Sequence, residues 1–221
     1  MDPLKYGDMF YQKYLLTMDP SQLEISKRYY EKALPHPMAK LRLYIIYKLL
    51  GEESKAQQMY DQLEVPQKKY VDAWFIYPEN PAKAAIILEG EADFLEYYML
   101  KAAVLMMLDR YQEVVEMLEG IKDRFPEVIP FLNTLKKFLE SEDKRIEELL
   151  LDKMGNVIES RVYEVEKGED LLKEIMAEET EKGYLIKLPK NPDLRELGLY
   201  FLTHTYTPVP REILQRLKWS G

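Results

Sequence analysis

The chain has 221 residues, a formal net charge of −8 and no cysteine. The missing thiols exclude disulfide frameworks, thiolate metal sites and cysteine nucleophiles, and they fit a reducing, cytoplasmic setting. The acidic balance argues against nucleic acid as a general partner, because binding to phosphate backbones needs clustered Lys and Arg.

The opening MDPLKYGDMF lacks the basic start and apolar run of a signal peptide, and no stretch is long and uncharged enough to span a bilayer, so a soluble protein with no membrane partner is expected. A charge-rich, cysteine-free composition also suits a thermostable protein. Charge is uneven towards the end: residues 145–181 carry 5 basic against 12 acidic side chains, and residues 182–221 carry 7 against 3.

From Asp2 to Met18, Leu4, Tyr6, Met9, Phe10, Lys13, Tyr14 and Thr17 recur at helical spacing. Asp19-Pro20 then predicts an N-cap and first turn for a second helix through Leu23, Ser26, Tyr29, Tyr30 and Ala33, ended by Pro35-His36-Pro37. The stretch from Leu41 to Leu63 reads as a helix pair turning at Gly51, which can take the left-handed conformation, with Val65-Pro66 closing it. Gln67–Tyr77 and Asn80–Leu88 form a shorter pair broken at Pro78. Glu91–Leu108 and Arg110–Lys122 form a fourth pair.

The second helices align on a small or short residue near the start, Ser26, Ala56, Ala84 and Val114, at spacings of 30, 28 and 30. Near-constant spacing suggests a repeat array, in which each pair covers an apolar stripe its neighbour cannot bury alone. An antiparallel helix bundle with short loops gives a similar pattern and remains open.

In their second helices the units resemble tetratricopeptide repeats (TPR), through Ser26, Tyr30 and Ala33, through Ala56, Tyr60 and Leu63, and through Val114, Leu118, Ile121 and Pro126. Tyr44 and Tyr47 match first-helix positions of the family. The resemblance covers about the first 125 residues. It departs in the shortness of the units and in Lys40 and Lys101, which stand where the family is usually apolar. It implies a mainly α protein whose short TPR-like helix pairs form a right-handed α-α superhelix with a concave groove. By position the groove would be lined by Leu41, Ile45, Lys48 and Leu49 in the second unit and by Met99, Ala103, Met106 and Met107 in the fourth, with Lys48 available for a carboxylate. Such a surface suits a protein or peptide ligand, since rigid aromatics and adaptable methionines make good contacts.

Residues 126–140 present Val128, Ile129, Leu132, Leu135, Phe138 and Leu139 on one face, predicting a capping helix and an array over residues 1–144. Residues 145–221 read as a small α+β module. Within it, Leu149–Val165 fits a β-hairpin turning at Asp152 and Gly155-Asn156, although residues 141–154 also fit one more helix. Gly168–Lys182 reads as an amphipathic helix ended by Gly183, Tyr184–Leu188 as a strand, and Asn191-Pro192 and Pro210 as starts of two final helices, the last running to about Trp219.

Signatures of chemistry are sparse: there is no glycine-rich phosphate loop, no G-x-S-x-G elbow and no Cys/His set at metal spacing. His36 reads as an exposed loop residue and His204 as a helix-terminal one. The expected function is a non-enzymatic, cytoplasmic scaffold or adaptor for protein–protein interaction, with no catalytic residue, cofactor or metal, and with a homo-oligomer left open. Two alternatives stand beside it. One is a nucleic-acid-associated regulator using Arg211, Arg216, Lys218 and Trp219 on the last helix. The other is a non-repeat α-helical bundle serving as an enzyme subunit.

Overall fold

The computed structural model describes residues 2–205 and 207–218, and the chain divides into two compact units, Met1–Pro126 and Glu127–Gly221. The division precedes the expected boundary at Arg145 by the length of one helix. Phe138 of that helix shares a core cluster with Ile146, Leu171 and Leu194, so what reads as a cap in sequence is built into the second unit.

The first unit is helical throughout: α1 (Pro3–Thr17), α2 (Pro20–Ala33), α3 (Pro37–Leu49), α4 (Glu53–Asp61), α5 (Val65–Ile76), α6 (Pro81–Ile87), α7 (Leu95–Met107) and α8 (Tyr111–Ile121). Proline occupies the first turn of α1, α2, α3, α5 and α6, where its missing N–H costs no intrahelical bond. The side chains of Asp2, Asp19, His36 and Asn80 accept hydrogen bonds from first-turn N–H groups, which lack intrahelical partners. His36 is thus exposed, as expected, and also an N-cap through Nδ1. Val65-Pro66 opens α5 rather than closing α4, and α7 begins at Leu95 rather than Glu91.

Helices pack in adjacent pairs, α1 with α2, α3 with α4, α5 with α6 and α7 with α8, and α5 also touches both α3 and α7. In three of the four pairs the connecting turn carries a residue at positive φ: Met18 (57°), Gly51 (76°) and Asp109 (60°). The four aligned residues Ser26, Ala56, Ala84 and Val114 are all buried. Their small size lets the paired backbones approach. At the first pair Ser26 Oγ donates to the Gly7 carbonyl at 2.8 Å and the Tyr30 ring covers Gly7.

The second unit places α9 (Ile129–Leu139), after a short 3-10 turn at Pro126–Val128, before an antiparallel sheet of β1 (Arg145–Asp152), β2 (Val157–Glu164), β3 (Met176–Glu179) and β4 (Gly183–Pro189) in the order β2-β1-β4-β3. Helices α10 (Gly168–Glu174), α11 (Pro192–Thr203) and α12 (Arg211–Leu217) complete it. The hairpin reading holds. Asp152 accepts the N–H groups of Met154 and Asn156 at 2.9 Å each, Gly155 takes φ 88°, and Ile158 is the extra residue of a bulge facing Leu150 and Leu151. One expectation is corrected: the helix read over Gly168–Lys182 stops at Glu174, and Met176–Glu179 is a strand on the edge of β4. Backbone bonds to β4 outweigh a helical period that continued through Ile175 and Met176.

One face of the sheet buries Leu149, Leu151, Tyr184, Ile186 and Leu188 under Leu199, Leu202, Ile213, Leu214 and Leu217 of α11 and α12. A polar hub sits at its end. Glu147, only 8% exposed, accepts from Lys190 Nζ at 2.6 Å and lies 3.5 Å from Arg195, whose Nε donates to the Leu217 carbonyl.

Two stability measurements follow from this packing. A methyl group at Gly7 would stand 2.7 Å from a Tyr30 ring carbon, so Gly7→Ala lowers stability in urea unfolding by about 1–3 kcal/mol, despite the ~1 kcal/mol of helix propensity that alanine contributes. Glu147→Ala leaves Arg195 buried without its carboxylate and costs about 3 kcal/mol by the same assay.

Candidate functional site

Helices α3, α5 and α6 frame a groove of about 470 Å³ lined by Tyr44, Lys48, Asp72, Phe75, Ile76, Lys83 and Ile87. Helical geometry assembles it. Tyr44 and Lys48 are four residues apart on α3, Asp72 and Ile76 four apart on α5, and Lys83 and Ile87 four apart on α6, so each helix presents one short stripe.

The floor is aromatic. The Tyr44 ring lies 5.3 Å from that of Tyr60 and meets Phe75 edge-on at 5.9 Å, and Phe75 in turn meets Trp74 at 4.9 Å. Edge-to-face contacts of this kind fix ring orientation. Tyr60 reaches over from α4 and its hydroxyl donates to both carboxylate oxygens of Asp72, at 3.1 and 3.2 Å. Burial, followed by the Asp72 charge, pushes the Tyr60 phenol up to about 12, so it stays protonated and remains a donor. Partial burial also raises the Asp72 carboxyl above its ordinary value, against the opposing effects of the Tyr60 hydrogen bond and of Lys68.

The two groove cations differ. Lys48 is held by Glu53 at 2.8 Å, whereas Lys83 makes no ion pair among the described residues.

The other sequence-predicted groove residues are placed differently. Leu41 and Ile45 are fully buried, so they form core and present nothing to a ligand. Of the expected α3 residues Lys48 lines the groove, and Tyr44 stands beside it there in place of Leu41 and Ile45. Leu49, Met99, Ala103 and Met107 are exposed and Met106 is partly so, but none of these five lines the groove.

Of the predicted C-terminal cations, Arg211 and Lys218 share a depression of about 250 Å³ between α11 and α12 with Tyr200, Thr203 and His204. Arg216 is engaged elsewhere, donating to the Met154 carbonyl at 2.7 Å. Arg211 donates to the Thr203 carbonyl and Lys218 pairs with Glu196 at 2.9 Å. Trp219 lies outside the described residues. His204 ends α11 as expected, stacked on Tyr200 at 3.9 Å.

Sequence reasoning missed Asp72, Phe75, Ile76, Lys83 and Ile87 as a set. One signal was available: Asp72 is the single acid in the otherwise apolar run Tyr70–Tyr77. Among the described residues, no group of three or more His, Asp or Glu side chains is arranged to hold a metal ion, and no helix is long and apolar enough to cross a membrane. Comparison with protein families, with curated proteins and with solved structures finds no match to this chain.

A carboxyl whose folded-state pKa lies above its ordinary value contributes stability that is fully present at acid pH and is lost as pH rises through the raised value. Asp72→Asn is therefore expected to leave thermal stability at neutral pH unchanged or slightly higher, and to reduce the loss between acid and neutral pH. Thermal unfolding across that range checks it. A clear drop at neutral pH would instead mark Asp72 as a structural anchor for Tyr60.

Proposed function

We propose that the first unit is a short TPR-like superhelical array and that the protein is a non-enzymatic, cytoplasmic scaffold whose groove across α3, α5 and α6 holds an extended peptide segment. The carrying observation is Lys83, a cation without an ion pair among the described residues, set in one groove with Tyr44, Phe75, Ile76 and Ile87. This combination suits a segment with an aliphatic side chain close to an Asp or Glu. The side chain enters between Phe75, Ile76 and Ile87, its carboxylate meets Lys83, and Asp72 is placed to accept a peptide N–H. The net charge of −8 and the engagement of Arg211, Arg216 and Lys218 within their own unit weigh against a nucleic-acid ligand.

Selection from a displayed random-peptide library on the immobilised chain tests the reading. Peptides enriched in an aliphatic residue near Asp or Glu are expected, and Lys83→Glu should weaken the best of them by roughly tenfold, the effect of reversing one exposed charge pair. Lys83 is exposed, so the substitution leaves the fold intact. An enrichment without acidic preference, or one indifferent to Lys83→Glu, refutes the groove assignment.

A further inference from the structure

The sheet of the second unit has two unequal edges. β3 is four residues long and ends in Glu178-Glu179, whereas β2 spans eight residues, of which only Tyr163 is even partly buried. Val157, Ile158 and Val162 are each about half exposed on β2 (50%, 49% and 50%). An outer strand of that length with β-branched apolar side chains is a template for pairing with another strand.

The sequence of β2 says which strand. About Ser160 it is complementary to itself in charge, since Glu159 mirrors Arg161. In an antiparallel pair of identical strands, residues whose numbers sum to a constant stand opposite each other on the same face. With Ser160 opposite Ser160, each Glu159 meets an Arg161, and the regular ladder ends at the bulge residue Ile158. Shifting the centre to Glu159 opposes two acids, and shifting it to Arg161 opposes two guanidinium groups. The backbone agrees with the Ser160 register. Val165 donates its N–H to the Lys144 carbonyl across the β1–β2 pair, so strict alternation turns the N–H and C=O groups of Glu164, Val162 and Ser160 to the outer edge.

We infer that β2 is a self-association edge: two copies of the chain pair β2 to β2, antiparallel, about a twofold axis at Ser160, and the two sheets become one. The occupant is a second copy because the strand complements itself in charge about Ser160. Arg161 lies 3.1 Å from Glu148 within its own chain, and Glu159 of the other copy completes its second side. The inference is independent of the groove and its ligand.

Sedimentation of the full chain tests it. The wild type is expected to dimerise, with a mass twice 26.3 kDa. Ser160→Pro removes an N–H that faces away from β1, a position where an edge strand tolerates proline, and is expected to give a folded monomer with unchanged circular dichroism. Glu159→Arg opposes like charges twice about the axis and should raise the dimer dissociation constant by about tenfold. Arg161→Glu should do the same, and mixing these two variants should restore a dimer, because each supplies the charge the other lacks. A wild type that stays monomeric throughout, or a dimer indifferent to both Ser160→Pro and Glu159→Arg, overturns the inference. Should the proline variant fail to fold, Glu159→Arg alone decides the outcome.

Discussion

A single guanidinium, that of Arg42, connects three first helices of the helical unit. It lies 4.8 Å from the centre of the Tyr11 ring on α1 and donates through Nη1 to the Tyr70 hydroxyl on α5 at 3.2 Å, while its own backbone belongs to α3. No carboxylate pairs with it among the described residues, so phenols and ring faces do the work of a counter-ion. Burial pushes the Tyr11 phenol up, which keeps it neutral beside the cation. Because the planar guanidinium has to satisfy partners on both sides, α3 has little freedom to turn about its axis. That restraint fixes which of its residues are core and which are floor of the groove: Leu41 and Ile45 inward, Tyr44 and Lys48 outward.

The second unit solves a related problem with a charged hub. Glu147 lies on the sheet face that also carries Leu149 and Leu151, and it would be costly there without Lys190 and Arg195. Arg195 also holds the carbonyl of Leu217, the last residue of α12, so one network ties a strand to the end of a later helix. On the opposite face of the same strand, Glu148 meets Arg161 and Lys187, and the Arg161 guanidinium beside it holds its carboxyl below the usual range. The two faces therefore treat charge differently: one buries it as a clasp, the other leaves it partly open to solvent.

Much of this was legible because it is local. Asp19-Pro20 and Asn80-Pro81 announce helix starts by the chemistry of orphan N–H groups, Gly51 announces a turn by its positive φ, and Asp152 with Gly155-Asn156 announces a hairpin. What was not legible depends on partners distant in sequence. Ile175 and Met176 continue a helical period, and only pairing of Met176–Glu179 with β4 makes them strand. Leu41 and Ile45 were assigned to the groove for a related reason. Leu41, Leu43, Ile45, Ile46 and Tyr47 are all buried, so the helix is apolar nearly all round and its periodicity does not point to one side. The aligned small residues Ser26, Ala56, Ala84 and Val114 signalled close helix pairs correctly, since small size is required wherever two backbones approach, whichever arrangement the pairs adopt.

The shortness of β3 has a consequence for growth. A sheet that can be extended at both margins propagates, because every added copy offers a fresh margin to the next, and the product is a fibre. Here the strand beside β4 is brief and acidic, which disfavours a neighbour, so the inferred pairing would extend the sheet on one side only. Two molecules joined along their long margins would use up the open side of both and leave no site for a third, a termination rule written into the lengths of the strands.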